Sequence, residues 1–395
     1  MDYSEHSCPN GPYLCSSWYP SNMVTIYVWA VGVFLFIFSL LPPSILYLRS
    51  LSVSKDFLRP ETNQLYPITV LVPIRNESSR IETKLGEIIG LDYPDNLKKI
   101  LVVVSGSNDD SEVIATDYLE KNGSGIEWKV DVLATPGKTL AIIHALLDIE
   151  TDIFVMMDAD ASVPSDSLIK IMSWFQDTSI GGVSGAISLD YIGDKEYRSR
   201  FNKIRFWESA IDSTPIFEGS LCAFRKSSLD STKLDSSINA DDSQMAINVR
   251  RNGFRAVMDP EIEFTEPLVY AKPFSRKIRR AQGLIRVFWK NRDLCTGERE
   301  FSKIFRGQFF FHLLFPWLLI SSSTIILASS SYWLYSNGDF ELDIFGSSLL
   351  LMTLATMSKT VRQAFYGASC LIIAQLLSIS GKKLNIWSPD RGHPN

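Results

Sequence analysis

The sequence predicts an α/β domain, a mostly parallel sheet flanked by helices, held between transmembrane helices at both ends. Two observations carry this. Through the middle of the chain, short β-rich apolar runs alternate with helical stretches, the pattern of strand–helix–strand units. At both ends the pattern gives way to long apolar runs, which hold much of the 46% hydrophobic and 12% aromatic content.

The N-terminal elements come first. Residues 1–23 form a polar tail with acids, Pro and Cys but no Lys or Arg, so it lacks the charged start of a secretory signal. Residues 24–48 are apolar for long enough to cross a bilayer of about 30 Å. Arg49, Lys55 and Arg59 follow, and the positive-inside rule then puts residues 49–305 in the cytoplasm.

Within that domain, strands are expected at 68–72, 99–104, 128–133 and 152–157, with helices at 79–89, 110–120 and 138–147 between them. Ile81, Leu85, Ile88 and Ile89 share one face of the first helix. A further helix opens near 163–165, with Ser165 or Asp166 as its cap. Residues 272–306 carry eleven Lys and Arg against three acids, an excess of +8 in a chain whose net charge is −5. Residues 274–288 mix Ile278, Leu284, Ile285, Val287 and Phe288 with these cations, the pattern of a helix lying at a membrane surface, and 301–310 repeats it. Interfacial helices are therefore expected over 273–305; a nucleic-acid surface is not. Residues 309–380 hold two or three further spans: 309–335 and 344–357 read as spans, and 361–380, separated from the second by Lys359 and Arg362, is a third candidate, with one of the three open to a re-entrant or interfacial reading; residues 381–395 are a tail.

Four histidines are dispersed and five cysteines show no CxxC pair, which excludes a zinc ribbon and leaves little for a His-based triad. Cys8 and Cys15 could pair if the tail is extracellular. The chemistry falls to carboxylates. Asp158-Ala159-Asp160 directly follows a strand, where open α/β sheets bind ligands. Alternation across an extended turn points both acids one way, suited to oxygen coordination of Mg²⁺ or Mn²⁺. A lone DxD of this kind is also common as an acidic turn.

At this point the chain resembles the family-two, GT-A-type inverting glycosyltransferases, through landmarks ordered along residues 67–292. VLVPIRNE (70–77) resembles the family's first strand and nucleotide-facing loop, and VVVSGSNDD (102–110) its second strand and turn. Thr135-Pro136-Gly137-Lys138 looks like its Gly-Lys turn, Asp158–Asp160 its metal motif, and Phe217-Glu218-Gly219-Ser220 with Phe224-Arg225-Lys226 its acceptor strand. Asn239-Ala240-Asp241-Asp242 looks like its base motif, opening a helix to Arg251. Two departures stand out. Ser105 replaces a frequent Asp, with Asp109 and Asp110 close enough to compensate. Arg279-Arg280-Ala281-Gln282 and Arg286 match only part of the Gln-x-x-Arg-Trp motif of processive synthases.

The resemblance implies a nucleotide-sugar-binding domain with Asp242 as catalytic base and Asp241 beside it. The competing reading makes both acids caps of a helix starting at Ser243. Asp158 and Asp160 would hold the metal. Pro73, Arg75, Glu77, Ser105, Lys138 and Asp158 would line the donor pocket, and Arg279, Arg280 and Gln282 would reach the diphosphate. Glu77 could instead cap the following helix, Lys138 could be a surface lysine, and Arg279, Arg280 and Gln282 could press lipid headgroups. Gly219 and Ser220 would face the acceptor, with Gly219 allowing close approach. The expected reaction is transfer of a hexose or N-acetylhexosamine from a UDP- or GDP-sugar, with inversion, to a lipid-linked or other membrane-delivered acceptor in cell-envelope glycan synthesis. A processive polysaccharide synthase and a non-catalytic nucleotide-binding scaffold are the rivals.

Overall fold

The computed structural model describes residues 18–51, 57–188, 195–266, 273–337 and 343–382. Two compact units divide the chain: Met1–Ser44 with Leu313–Ile372, and Ile45–His312 with Ile373–Asn395. Cys8 and Cys15 lie outside the described residues, as do residues 189–194 and 383–395.

The larger unit is built on seven strands: β1 (Ile68–Ile74), β2 (Lys98–Ser105), β3 (Glu127–Leu133), β4 (Ile153–Met157), β5 (Ile180–Ile187), β6 (Leu221–Arg225) and β7 (Arg255–Phe264). They lie in the order β3-β2-β1-β4-β6-β5-β7. Only β6 runs against its neighbours, pairing antiparallel with both β4 and β5. Helices α2 (Ile81–Ile89), α3 (Ser111–Asn122), α4 (Lys138–Asp148) and α5 (Ser167–Trp174) connect the strands. Helices α6 (Lys195–Ile211), α7 (Asp241–Arg251), α8 (Pro273–Lys290) and α9 (Glu300–Phe309) follow. Both faces of the central strands are covered, so β1 and β4 are buried along their whole length and read as unbroken apolar runs. Alternate residues feed two cores: Val70, Val72 and Val155 on one face, Leu71, Phe154 and Met156 on the other. Chain order reverses between β1 and β4. β1 passes to β2 and β3 on one side, while β4 returns on the other, opening a crevice at their carboxyl ends.

The seven strands and helices expected between residues 68 and 157 stand within one or two residues of their predicted ends, whereas α1 (Trp18–Ser50), β7 and α10 (Phe315–Asn337) depart further, α1 beginning at Trp18. Two elements were not expected. β5 reads IGGVSGAI, and glycine ordinarily weakens a strand. Here a side chain at Gly181 would meet Ser228 and Phe254 at 2.7 and 2.6 Å, and one at Gly185 would meet the Ile262 carbonyl at 2.5 Å. α6 escapes an apolar-periodicity search because buried Asn202, Glu208 and Ser209 carry part of its packing. Of the two expected caps, Asp166 takes the N-cap position of α5, but its side chain pairs with Lys170 at 2.8 Å rather than bonding the first-turn amides, while Ser165 bonds Asp92.

In the smaller unit, α1 (Trp18–Ser50) precedes α10 (Phe315–Asn337), α11 (Ile344–Ala355) and α12 (Lys359–Ile379), the last running on into the larger unit. Met23–Ser50 and Glu300–Ser336 are long and apolar enough to cross a membrane. The α11–α12 pair qualifies only jointly, bent by 89°, as a broken span or re-entrant loop would be. That bend is why spacing alone left two or three late spans. Asp343 caps α11 through the amides of Phe345 and Gly346 and accepts a bond from Trp333.

Candidate active site

The Asp158-Ala159-Asp160 turn sits at the carboxyl end of β4, tied to the end of the β6 hairpin by the Asp158 amide on the Ser220 carbonyl at 3.2 Å. Ala159 and Ala161 are buried while Asp158 and Asp160 are half-buried, the alternation expected from an extended turn. Lys138, the first residue of α4, reaches across to Asp158 at 2.7 Å and lies 3.5 Å from Asp241. It is not a surface lysine: its side chain is 18% exposed. Burial opposes its charge, but Asp158 and Asp241 outweigh burial and hold the ammonium protonated. The donor set around this turn is all carboxylate oxygen. One Asp241 oxygen is buried without a hydrogen-bond partner among the described residues. Hard oxygen donors with spare capacity fit Mg²⁺ or Mn²⁺ and do not suit a soft metal.

Asp241 and Asp242 open α7 rather than cap it. The helix starts at Asp241, two residues before the expected Ser243, and Ala240 precedes it without a side-chain cap. In the first turn both acids meet the positive end of the helix. Asp242 is nevertheless pushed up to about 7, first by burial and then by Asp241, with Lys138 partly opposing. Gly219 explains how it fits: a Cβ there would stand 3.2 Å from an Asp242 oxygen, so the residue that approaches this glycine closely is the candidate base itself. Ser220 is 5% exposed and donates to Glu266 at 2.6 Å. Cys222 lies near this group, and burial together with the Asp242 charge keeps its thiol protonated, which rules against a cysteine nucleophile.

The nucleotide-side loops interlock. Asn76 takes a left-handed conformation at φ 53°; its amide donates to Ser107 and its side-chain oxygen accepts from the Asn108 amide. Asp109 accepts from the Ser78 amide and from Ser111, so it staples two loops together. Ser105 is fully buried and bonds Thr135 and Gly137, fastening the turn before Lys138. Arg75 donates to the Gly106 carbonyl at 3.3 Å. Pro73 lies opposite Val103, one residue before the β1 register ends at Ile74. Glu77 is 4% exposed, with its carboxylate 3.8 Å from Arg80, and α2 begins at Ile81 without a side-chain cap. The Glu77 carbonyl accepts from the Arg80 and Ile81 amides at 2.9 and 3.0 Å.

Glu218, Arg205 and Glu266 were not legible as site residues. Glu218 pairs with Arg205 and lies 3.9 Å from Arg198; burial works against its charge, but the two arginines prevail and the carboxyl falls to about 2. Both arginines sit on α6, the helix that periodicity missed. Glu218 did carry a signal, as an acid in an otherwise apolar Phe-x-Gly-Ser run.

α8 closes one side. Arg280 pairs with Glu266 at 3.5 Å, and its charge is held chiefly by Glu266, with Glu218, Asp242 and Asp160 contributing, which brings it to the acidic cluster. Gln282 is buried and its amide donates to the Lys382 carbonyl at 2.8 Å, so this group is already engaged by the chain. Arg279 shares the helix with further interactions of its own. A Cβ on Gly283 would meet the Asn239 carbonyl oxygen at 2.5 Å and its carbon at 2.9 Å. Backbone cannot yield as a flexible side chain would. Gly283→Ala is therefore expected to destabilise by about 1–3 kcal/mol through overpacking. By displacing the segment leading into Asp242, it should also slow transfer by up to about 10²-fold. Thermal melting and steady-state rates on the purified variant check both.

A second polar group, Asp131, His144 and Asp148, brings ligand atoms within 4.8 Å of one another. The Lys129 ammonium bridges its two carboxylates at 3.0 and 2.6 Å and supplies the cation they need.

Residues 69–232 match the family model described as glycosyl transferase family 2, and residues 153–359, more than half of the chain, that of glycosyl transferase family group 2. A poly-beta-1,6-N-acetyl-D-glucosamine synthase of Staphylococcus epidermidis is 25% identical over 287 residues, covering 69% of this chain and 66% of the relative. The Staphylococcus aureus enzyme of that name (strain COL) is 26% identical over 213 residues, 51% of this chain and 50% of the relative. The chain thus spans between half and just under two thirds of these relatives. The mannosyltransferase of Pyrobaculum calidifontis, solved in complex with GDP-Man and Mn2+, superposes with a TM-score of 0.79 at 26% identity over 90% of this chain and 100% of that one. The carboxylate turn at the sheet crevice therefore belongs to a GT-A domain, and this chain is a glycosyltransferase of glycosyl transferase family group 2.

Proposed function

We propose that this enzyme is a multi-pass membrane protein with its catalytic domain on the cytoplasmic side, and that it moves a hexose or N-acetylhexosamine from a UDP- or GDP-sugar, with inversion, to a hydroxyl of a lipid-linked glycan. The observation that carries the acceptor is Asp242, half-buried beside the buried Asp241, with its carboxyl pushed up to about 7. A base poised near neutrality suits deprotonation of a sugar hydroxyl. A lipid phosphate is already ionised and needs no base.

Each group has a task. The acceptor oxygen attacks the anomeric carbon as its proton passes to Asp242; the bond from that carbon to the diphosphate breaks on the opposite face, which inverts the centre. Asp158 and Asp160 would hold Mg²⁺ or Mn²⁺, whose charge would stabilise the departing diphosphate. Lys138 keeps Asp158 and Asp241 together and supplies a protonated donor toward the phosphates. Arg280 adds a second cation on the same side, and Glu218, ionised between Arg205 and Arg198, adjoins Gly219, which leaves room for the base. Pro73, Arg75, Glu77 and Ser105 shape the nucleotide end. The basic face of α8 supports docking on anionic lipid, which would bring a membrane-delivered acceptor to the crevice.

The N-acetylglucosamine synthase relatives favour a second reading, processive synthesis of a polysaccharide. Purified membranes offered labelled UDP- and GDP-sugars with Mn²⁺ separate the two. Label in an organic-extractable, glycan-bearing lipid supports the first reading, label in insoluble polymer the second, and no transfer from any donor with nucleotide binding retained would leave a scaffold.

A further inference from the structure

The apolar stripe of α2, Ile81, Leu85 and Ile88, has a lysine in its middle. Lys84 is 2% exposed, at the position where this periodicity calls for a leucine. Burying an ammonium is costly unless partners meet it, and here they are specific. Lys84 Nζ donates to Glu87 Oε1 at 2.9 Å and to the Ala161 carbonyl at 2.7 Å. Glu87 in turn accepts from the Val163 amide at 3.0 Å and from the Ser162 hydroxyl at 2.8 Å. Three consecutive residues directly after Asp160 are thus held by one charged pair on the helix beneath them. Ser162 also forms a two-bond bridge with Thr265, and the next residue, Glu266, holds Ser220 and Arg280. The Lys84 charge is felt at both Asp158 and Asp160.

We propose that Lys84 and Glu87 are positioning residues for the metal-holding turn: they lock residues 161–163 so that Asp158 and Asp160 are presented together before the ion arrives. This rests on the reading of Asp158 and Asp160 as the metal ligands. A pair serving stability alone would be poorly chosen, because apolar residues of similar volume at these two positions would fill the stripe as well or better.

The test uses the purified full-length enzyme in detergent, with Mn²⁺ binding followed by electron paramagnetic resonance in the presence of UDP or GDP, alongside thermal melting. In Lys84→Met/Glu87→Met the desolvation cost of the buried pair is removed along with its bonds to Ala161, Ser162 and Val163, so the variant should melt close to the wild-type temperature, and it should bind Mn²⁺ about tenfold more weakly, in the range found for lost supporting contacts at metal sites. Glu87→Gln keeps acceptors for Lys84 and Val163 and a partner for Ser162, and should bind within about twofold of wild type, since the geometry survives. Wild-type affinity in the double variant would overturn the proposal while leaving the metal reading intact. Weaker binding that tracks a lowered melting temperature would reduce the pair to a structural role and overturn it too. Failure of the wild-type enzyme itself to bind Mn²⁺ would remove the metal reading, and the proposal with it.

Discussion

Asp242→Asn should abolish transfer to a sugar hydroxyl, with kcat falling by about 10²–10⁴-fold, the usual contribution of a positioned general base. The pH dependence follows from the same group. The Asp242 carboxyl is raised to about 7, so the basic form is present above that pH. Transfer by the wild-type enzyme should therefore rise with pH through the neutral range, level off above it, and fall as the carboxylate is protonated. Stability runs the opposite way. In the unfolded chain an aspartate titrates near 4, so between about pH 4 and 7 the folded state holds a proton that the unfolded state has lost. The contribution of neutral Asp242 is complete below this window and lost as pH rises through it; Asp242→Asn should flatten that part of the melting-temperature profile without unfolding the enzyme. Full activity in the variant, with a hydroxyl acceptor, would sink the assignment. Full activity only with a lipid phosphate would redirect the acceptor.

Removing both acids of the turn, Asp158→Ala with Asp160→Ala, should cost at least about 10²–10³-fold in transfer, because the charge stabilisation an ion gives a leaving diphosphate is worth several kcal/mol. Chelation of divalent ions from the wild-type enzyme should produce a similar loss, restored by Mn²⁺ or Mg²⁺, and the variant should gain nothing from added metal. The substitution also strips Lys138 of its 2.7 Å partner and leaves it Asp241 at 3.5 Å. Nucleotide affinity measured without metal tells the two effects apart. Little change there means the loss arises from the ion. A loss as large as that in transfer means that Lys138 depended on Asp158 to meet the phosphates.

The sequence by itself determined the alternation of strands and helices, the apolar ends, and the acids at 158, 160, 241 and 242. These are local facts. A buried parallel strand must be apolar on both faces, a bilayer span must be long and apolar, and a carboxylate at a strand end is visible in a few consecutive letters. What the tertiary structure alone decided is everything that depends on partners distant in the chain. β5 is a strand because it pairs with β6 and β7, where Ser228, Phe254 and Ile262 leave no room for side chains at Gly181 and Gly185. α6 is a helix whose buried Asn202, Glu208 and Ser209 hide it from a search for apolar periodicity. Lys138 looked like an open choice between surface and site until α4 brought it to Asp158, twenty residues on, and to Asp241 beyond that. Asp109, read as a stand-in for a missing donor contact, also staples two loops through Ser78 and Ser111, partners the sequence does not reveal. Lys84 was one letter in a helical stripe, and Glu218 one acid in an apolar run. Their meaning lies in the Ala161 carbonyl and the Arg205 guanidinium, because the cost of burying a charge is set by what the fold places around it.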